Sequence, residues 1–223
     1  MGRTSAEIAA ELARVTALHA KDQDAEALAA CETLARDLPA DLGDAERFPV
    51  LWQLADLRSH AEDHEGAVAA YLACGPLLER LGKHRGQVIS ANNRGYHLAR
   101  LERREEALAA LREAREAARK VGQPMLLRAY AGLAYWHLEW GQTDEAESAA
   151  RVAVQQARVW ADPGELGSAL VQLGRVLAKT ARTDRALLHY TEGVPLLEQA
   201  GRPEAAQARQ ELGLLTAVPP GAR

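Results

Sequence analysis

The chain has 223 residues, a formal net charge of −4 and an isoelectric point near 6.0, so its overall charge gives no attraction to phosphate backbones or anionic lipid. Alanine, leucine, glutamate and arginine dominate while aromatic residues make up 4%, a composition that favours helices over strands. An all-α protein is expected, long enough to bury a real core.

Residues 1 to 20 carry charges at Arg3, Glu7, Glu11 and Arg14 and no continuous apolar run, so they read as neither signal peptide nor membrane span. Cys31 and Cys74 form no CxxC pair, which suits a reducing compartment, and a cytoplasmic location is expected. From Asp24 onward one pattern recurs: "DAEALAAC" at Asp24, "HEGAVAAY" at His64, "REEALAAL" at Arg104, "TDEAESAA" at Thr143 and "TDRALLHY" at Thr183. The shared alanines, Ala27, Ala67, Ala107, Ala146 and Ala186, fall 40, 40, 39 and 40 residues apart. In the later copies a small residue stands twelve positions before each alanine, namely Ala55, Gly95, Ala134 and Gly174. Each copy therefore predicts two antiparallel helices that approach closely where side chains are smallest.

Turns are expected at Gly82, at Gly122 with Pro124, at Asp162 with Pro163 and at Gly201 with Pro203, because glycine ends helices and proline opens them. Thr143 and Thr183, each before an aspartate, are expected to cap the helices that follow. Pro76 and Pro195 lie inside second helices at equivalent positions and predict bends. The repeats are placed at about 5–40, 44–82, 84–122, 124–161 and 163–201, with a capping helix at 203–216 and a flexible tail at 217–223.

The motif "LVQLGRVLAKTARTDRALLHY", Leu170 to Tyr190, resembles the tetratricopeptide repeat: Leu173 and Gly174 stand for the Leu-Gly pair, Ala186 for the alanine and Tyr190 for the later aromatic. "GQTDEAE" at Gly141 resembles the turn between its helices. The family period is 34 residues; the longer repeat here is similar to that of kinesin light chains and of bacterial peptide-sensing and transcription-regulating proteins. The first copy departs from the pattern with Arg14 and Val15 in place of Leu-Gly, and Arg94 replaces the leucine in the third. The resemblance implies a right-handed superhelical solenoid of five hairpins plus a capping helix, each hairpin burying its apolar face against its neighbours.

It also implies that the first helix of each pair lines a concave surface. The expected inward residues are Trp52, Gln53 and Asp56; Ile89, Asn92, Asn93, Tyr96 and Arg100; Arg128, Ala131, Tyr135 and Glu139; and Val171, Gln172, Arg175 and Lys179. Asparagine costs a helix up to about 0.7 kcal/mol relative to alanine, so the pair at 92 and 93 calls for a reason. An amide both donates and accepts, and Asn93, with Gln53 and Gln172 at equivalent positions, could hold the backbone of an extended peptide; alternatively it ties adjacent repeats together. The aromatics would add apolar contact, and Arg100, Arg128, Arg175 and Lys179 would meet acidic groups or stand as a solvated face. The carboxylate-clamp pattern of chaperone-binding relatives is not reproduced, since Leu12 and Thr16, or Trp52 and Asp56, occupy the places of its first pair.

No catalytic residue, metal site or cofactor is expected. His60 and His64 span a predicted turn and lack HExxH order. His19, His84, His97, His137 and His189 are scattered, and Cys31 and Cys74 align with core positions. "GELGSALVQLG" follows no strand and has no P-loop lysine, and Trp136, Trp140 and Trp160 read as packing between the fourth and fifth repeats. The leading expectation is a non-enzymatic protein–protein interaction module, an adaptor or scaffold that binds a partner's peptide segment, with no direct nucleic acid or membrane partner. The alternatives are a sensing module working with a transcription regulator and a structural unit that pairs with a second copy as a homodimer. Of the 27 basic residues 23 are arginine and 4 lysine, which hints at a GC-rich bacterial genome.

Overall fold

The computed structural model describes residues 3–160 and 162–217; most of the tail expected to be flexible, 218–223, lies outside them. Eleven helices make up the described residues: α1 (Ser5–His19), α2 (Asp24–Arg36), α3 (Asp44–His60), α4 (His64–Arg80), α5 (His84–Arg100), α6 (Arg104–Val121), α7 (Met125–Glu139), α8 (Thr143–Trp160), α9 (Pro163–Lys179), α10 (Thr183–Gln199) and α11 (Ala205–Ala217). The all-helical expectation holds, and the chain divides into two compact units, Met1–Ala117 and Ala118–Arg223. No sequence feature at that boundary announced it, since it falls inside α6.

Within the first unit, α1 packs on α2, α2 on α3, α3 on α4 and α4 on α5. One of its cores gathers Val15, Ala27, Cys31, Leu54, Ala55, Leu57, Ala67, Ala70 and Tyr71. In the second unit α7, α8, α9, α10 and α11 pack in the same sequential way. All five repeat alanines, Ala27, Ala67, Ala107, Ala146 and Ala186, are fully buried. The upstream glycines sit against the residue four places past the repeat alanine. A methyl group on Gly95 would come within 2.8 Å of Leu111, and one on Gly174 within 2.8 Å of the Tyr190 ring. Cys31 and Cys74 are fully buried, and burial raises their thiols to about 11 and about 12, so both remain protonated at neutral pH and act as packing groups.

Each hairpin turns by one mechanism. The residues after the first helices, Asp22, Glu62, Glu102, Gly141 and Ala181, all have φ between 55° and 72°. The amide of the next residue then donates to a carbonyl five residues back, as from Asp63 to Arg58, Arg103 to Leu98 and Arg182 to Leu177, at 2.9 to 3.0 Å. This satisfies carbonyls that the helix end would leave open. Gly82, Gly122 and Gly201 take positive φ after the second helices, as their glycine identity implied. The threonine caps are corrected. Thr183 is the first residue of α10, whose cap is Arg182 without a side-chain bond, and α8 likewise begins at Thr143. The left-handed residue and its successor already place the chain for entry, so the hydroxyl falls one position late. Side-chain caps occur instead at Thr4, Asp63 and Asp162. α4 and α10 run unbroken past Pro76 and Pro195, and α3 does so past Pro49. Trp136 and Trp140 stack at 5.6 Å, and Trp160 is 38% exposed.

A left-handed alanine carries a steric cost that glycine lacks. Ala181→Gly should raise the unfolding free energy by about 1 kcal/mol and Gly141→Ala lower it by about as much, as read from denaturant titrations.

Candidate functional site

The residues expected on the inner face fall into two sets, one in each unit. In the first unit they are largely spent on one another. Tyr71 of α4 reaches between two first helices: its hydroxyl donates to Asp56 of α3 at 2.9 Å and accepts from the Asn93 amide of α5 at 2.7 Å. Asn93 is thus a tie between neighbouring helices. Burial raises the Asp56 carboxyl above its ordinary range, opposed by the Tyr71 hydrogen bond. Trp52 is half-buried between Phe48 and Tyr71, with ring centroids 5.5 and 6.0 Å away. Gln53 is partly buried, Tyr96 is 43% exposed and Arg100 is exposed. Asn92 turns inward, its Oδ1 buried without a hydrogen-bond partner.

Beside this chain lies a buried histidine. His97 is 1% exposed; its Nε2 is 2.9 Å from Ser59 Oγ and its Nδ1 is 3.0 Å from Nδ1 of His64. Only one hydrogen fits between two ring nitrogens at that separation, so the rings cannot both be protonated in this arrangement. His64 is therefore engaged with His97, while His60 lies on the Asp56 carbonyl. Among the described residues no three histidine, cysteine or acidic side chains converge as a metal site.

The second unit keeps open space beside its inner residues. A cavity of about 330 Å³ is lined by Leu127, Ala131 and Tyr135 of α7, Ala153 of α8, Glu165, Ser168, Ala169, Val171, Gln172 and Arg175 of α9, and Glu204. A second of about 510 Å³ shares Tyr135 and Arg175 with it and adds Glu139, Lys179, Tyr190, Gln207, Glu211, Leu214 and Leu215. Gln172 faces the first cavity, with its Nε2 buried and lacking a partner. The repeat register explains why. Gln172 occupies the position of Asn93, but 22 residues earlier, where Asn93 finds Tyr71, Gln172 has Ala150. No hydroxyl arrives from α8.

Arg175 is committed to α11. Its Nε donates to Glu211 at 2.9 Å, and the Tyr190 hydroxyl donates to the same carboxylate at 2.8 Å. Burial works to raise the Glu211 carboxyl, but the bonds from Arg175 and Tyr190 outweigh it and hold it below the ordinary range. Tyr190 matches Tyr71 in the repeat and Arg175 matches Asp56, so the same three-part bridge appears with its charges rearranged. Arg128 and Lys179 are exposed, and so is Tyr135, at 45%. The sequence reading missed Tyr71, Tyr190 and Glu211; the aromatic four residues after the repeat alanine was the available signal.

The second unit's site is thus carried on first helices of a helical-hairpin repeat. Residues 86–158 match the tetratricopeptide repeat family model, and the recognition of such repeats is borne out. Among solved structures the chain is similar to the apo form of RapI, at 12% identity and a TM-score of 0.82 over 93% of this chain and 58% of that one. It is similar to a Rap protein complexed with Competence and Sporulation Factor, at 17% identity and a TM-score of 0.70, covering 91% of this chain and 60% of that one. It also matches nearly identical TPR-like repeats of a putative kinesin light chain from Podosopora anserina, at 14% identity and a TM-score of 0.71, covering 90% and 99%. The chain thus spans less than two thirds of either Rap protein. No curated protein matches it by sequence. No helix of the described residues is long and apolar enough to cross a membrane.

Burial lowers the His97 pKa to about 4, with the neighbouring His64 charge acting the same way and Asp63 against it. The unfolded chain then binds the proton more readily, so the stabilisation is complete above the ordinary histidine range and is lost as pH falls towards 4. Urea unfolding at pH 7 and pH 5 should differ by about 2 kcal/mol through this group, and His97→Gln should flatten the difference.

Proposed function

We propose that this protein is a non-enzymatic interaction module that takes a peptide segment of a partner protein, with its seat in the second unit between α7, α9 and α11. The observation that carries the reading is the Gln172 amide, buried without a partner at a cavity that also holds Arg175. A buried polar group left unpaired costs about 1–3 kcal/mol, and a ligand carbonyl or carboxylate would supply the missing acceptor. Tyr135 and the leucines of α7 offer apolar contact beside it, as a peptide side chain requires. The fold likeness to Rap proteins, among them a Rap conjugation gene regulator of the plasmid pLS20 in complex with the Phr* peptide, supports a peptide ligand. The inner residues of the first unit, Trp52, Gln53, Asp56, Asn92, Asn93, Tyr96 and Arg100, serve in this reading mainly to hold that unit together.

The test is a peptide library screened against the purified chain, with affinities of the selected peptides measured by calorimetry. Arg175→Ala and Gln172→Met should each weaken binding about tenfold, equivalent to about 1.4 kcal/mol. Gln172→Met should at the same time leave the unfolding midpoint unchanged or higher, because it removes an unpaired polar group. A library that yields no peptide dependent on either residue rejects the reading.

A further inference from the structure

The wall that α11 contributes differs from every other wall of the two cavities. Helix α9 buries nine residues and α7 seven, whereas α11 buries Ala208 alone. Leu214 is 65% exposed, and Gly213 stands mid-helix with open space where a side chain would be. A glycine there weakens the helix relative to alanine, because it loses more backbone freedom on folding. Beside the half-buried Leu212 and Leu215, polar contacts hold α11: Glu211 on Arg175 and Tyr190, Arg209 on Glu198 at 2.7 Å and, just before the helix, Glu204 on Ser168 at 2.7 Å. A helix fastened this way is the element that opens at least cost.

What Glu211 occupies is a carboxylate seat. Three donors converge on it, Arg175 and the Tyr190 hydroxyl from α9 and α10 and the Gln207 amide from α11 itself, with the Lys179 ammonium lining the same cavity and the Gln172 amide lining the adjoining one that Arg175 shares. The opposing acids are largely paired, Glu204 with Ser168 and Glu165 with Arg202, which leaves Glu139 as the nearby exposed one.

We propose that α11 is a built-in competitor, its Glu211 standing in for the carboxylate of an acidic peptide that displaces the helix to bind. This rests on the peptide-binding reading and adds to it the ligand's chemistry and a regulatory step. Occupancy by α11 lowers apparent affinity by the fraction of molecules that are open. The contact also sets a pH sense: with its pKa held low in the closed form, Glu211 keeps α11 seated above the ordinary carboxylate range and releases it as pH falls through its lowered pKa. Arg175, Tyr190, Lys179, Glu139 and Gln207 are the charged and polar groups lining the cavity with it.

The experiment uses the full chain and a fluorescent peptide with the sequence of residues 203–217, acylated by the dye at its N-terminus and amidated at its C-terminus, as the carboxylate-bearing probe. Glu211→Gln should bind the probe about tenfold more tightly than the wild type, since its internal competitor is weakened. Arg209→Ala loosens α11 away from the seat and should tighten binding by a smaller factor, which separates displacement from simple loss of a repelling charge. Arg175→Ala combined with Glu211→Gln should abolish the gain. In the wild type, saturating probe should speed amide hydrogen exchange across 205–217. Equal affinity in all chains with α11 still protected overturns the competitor and leaves peptide binding standing. Failure of the probe to bind Glu211→Gln overturns it too; the library screen then shows whether peptide binding falls with it.

Discussion

Two helices of a hairpin can bury little of their apolar surface on their own, and the contact that lets these hairpins close is a single pair of positions. A small residue on the first helix, Gly95 or Gly174, faces the residue four places past the buried alanine on the second, and Ala55 shares a core with Tyr71 at the same register. At Gly95 and Gly174 the neighbour stands so near that a methyl group would meet it at 2.8 Å. Close approach raises the number of favourable atom contacts along both helices and excludes water from between them. Packing density there sets the angle and depth of everything on the first helix, including the side chains that face a ligand.

The facing position also decides what the inner surface can do. Where it holds tyrosine, the ring fills the gap and its hydroxyl emerges between adjacent first helices. Tyr71 then joins Asp56 to Asn93, and Tyr190 joins with Arg175 at Glu211. Where it holds alanine, at 150, no hydroxyl is delivered and the Gln172 amide is left unpaired at a cavity. A repeat protein can therefore convert a structural tie into a ligand-facing group by one substitution on the opposite helix, with the first helix itself unchanged.

This also explains which features were legible in the sequence. The alanines, the small residues and the glycine turns obey a short-range rule repeated every forty residues, so periodicity alone exposes them. The left-handed turns at Glu62, Glu102 and Ala181 were hidden because their residue types do not announce positive φ; the hairpin geometry imposes it and the helix-end hydrogen bonds offset the strain. The partners of Asn93 and Arg175 were hidden for another reason. They lie 22 and 36 residues away on different helices, and an amide or guanidinium offers the same groups to a neighbouring helix as to a foreign peptide.

The two uses of such a group differ in what remains when the neighbour leaves. Asn93 bonds a tyrosine anchored in a closed core, so separating them would expose apolar surface along α4 and α5 and is strongly opposed. Arg175 bonds a carboxylate on a helix that buries one alanine fully and Leu212 and Leu215 in part, so separation costs the polar contacts and a smaller apolar area, and in the proposed exchange a ligand carboxylate replaces the polar contacts nearly one for one. The exchange is close to balanced because like replaces like, and small differences in apolar contact with Tyr135, Leu138 or the α11 leucines decide its direction. In the proposed exchange an inner surface closed by Glu211 of its own helix is selective, since a peptide lacking the carboxylate would open α11 without restoring what Arg175 and Tyr190 lose.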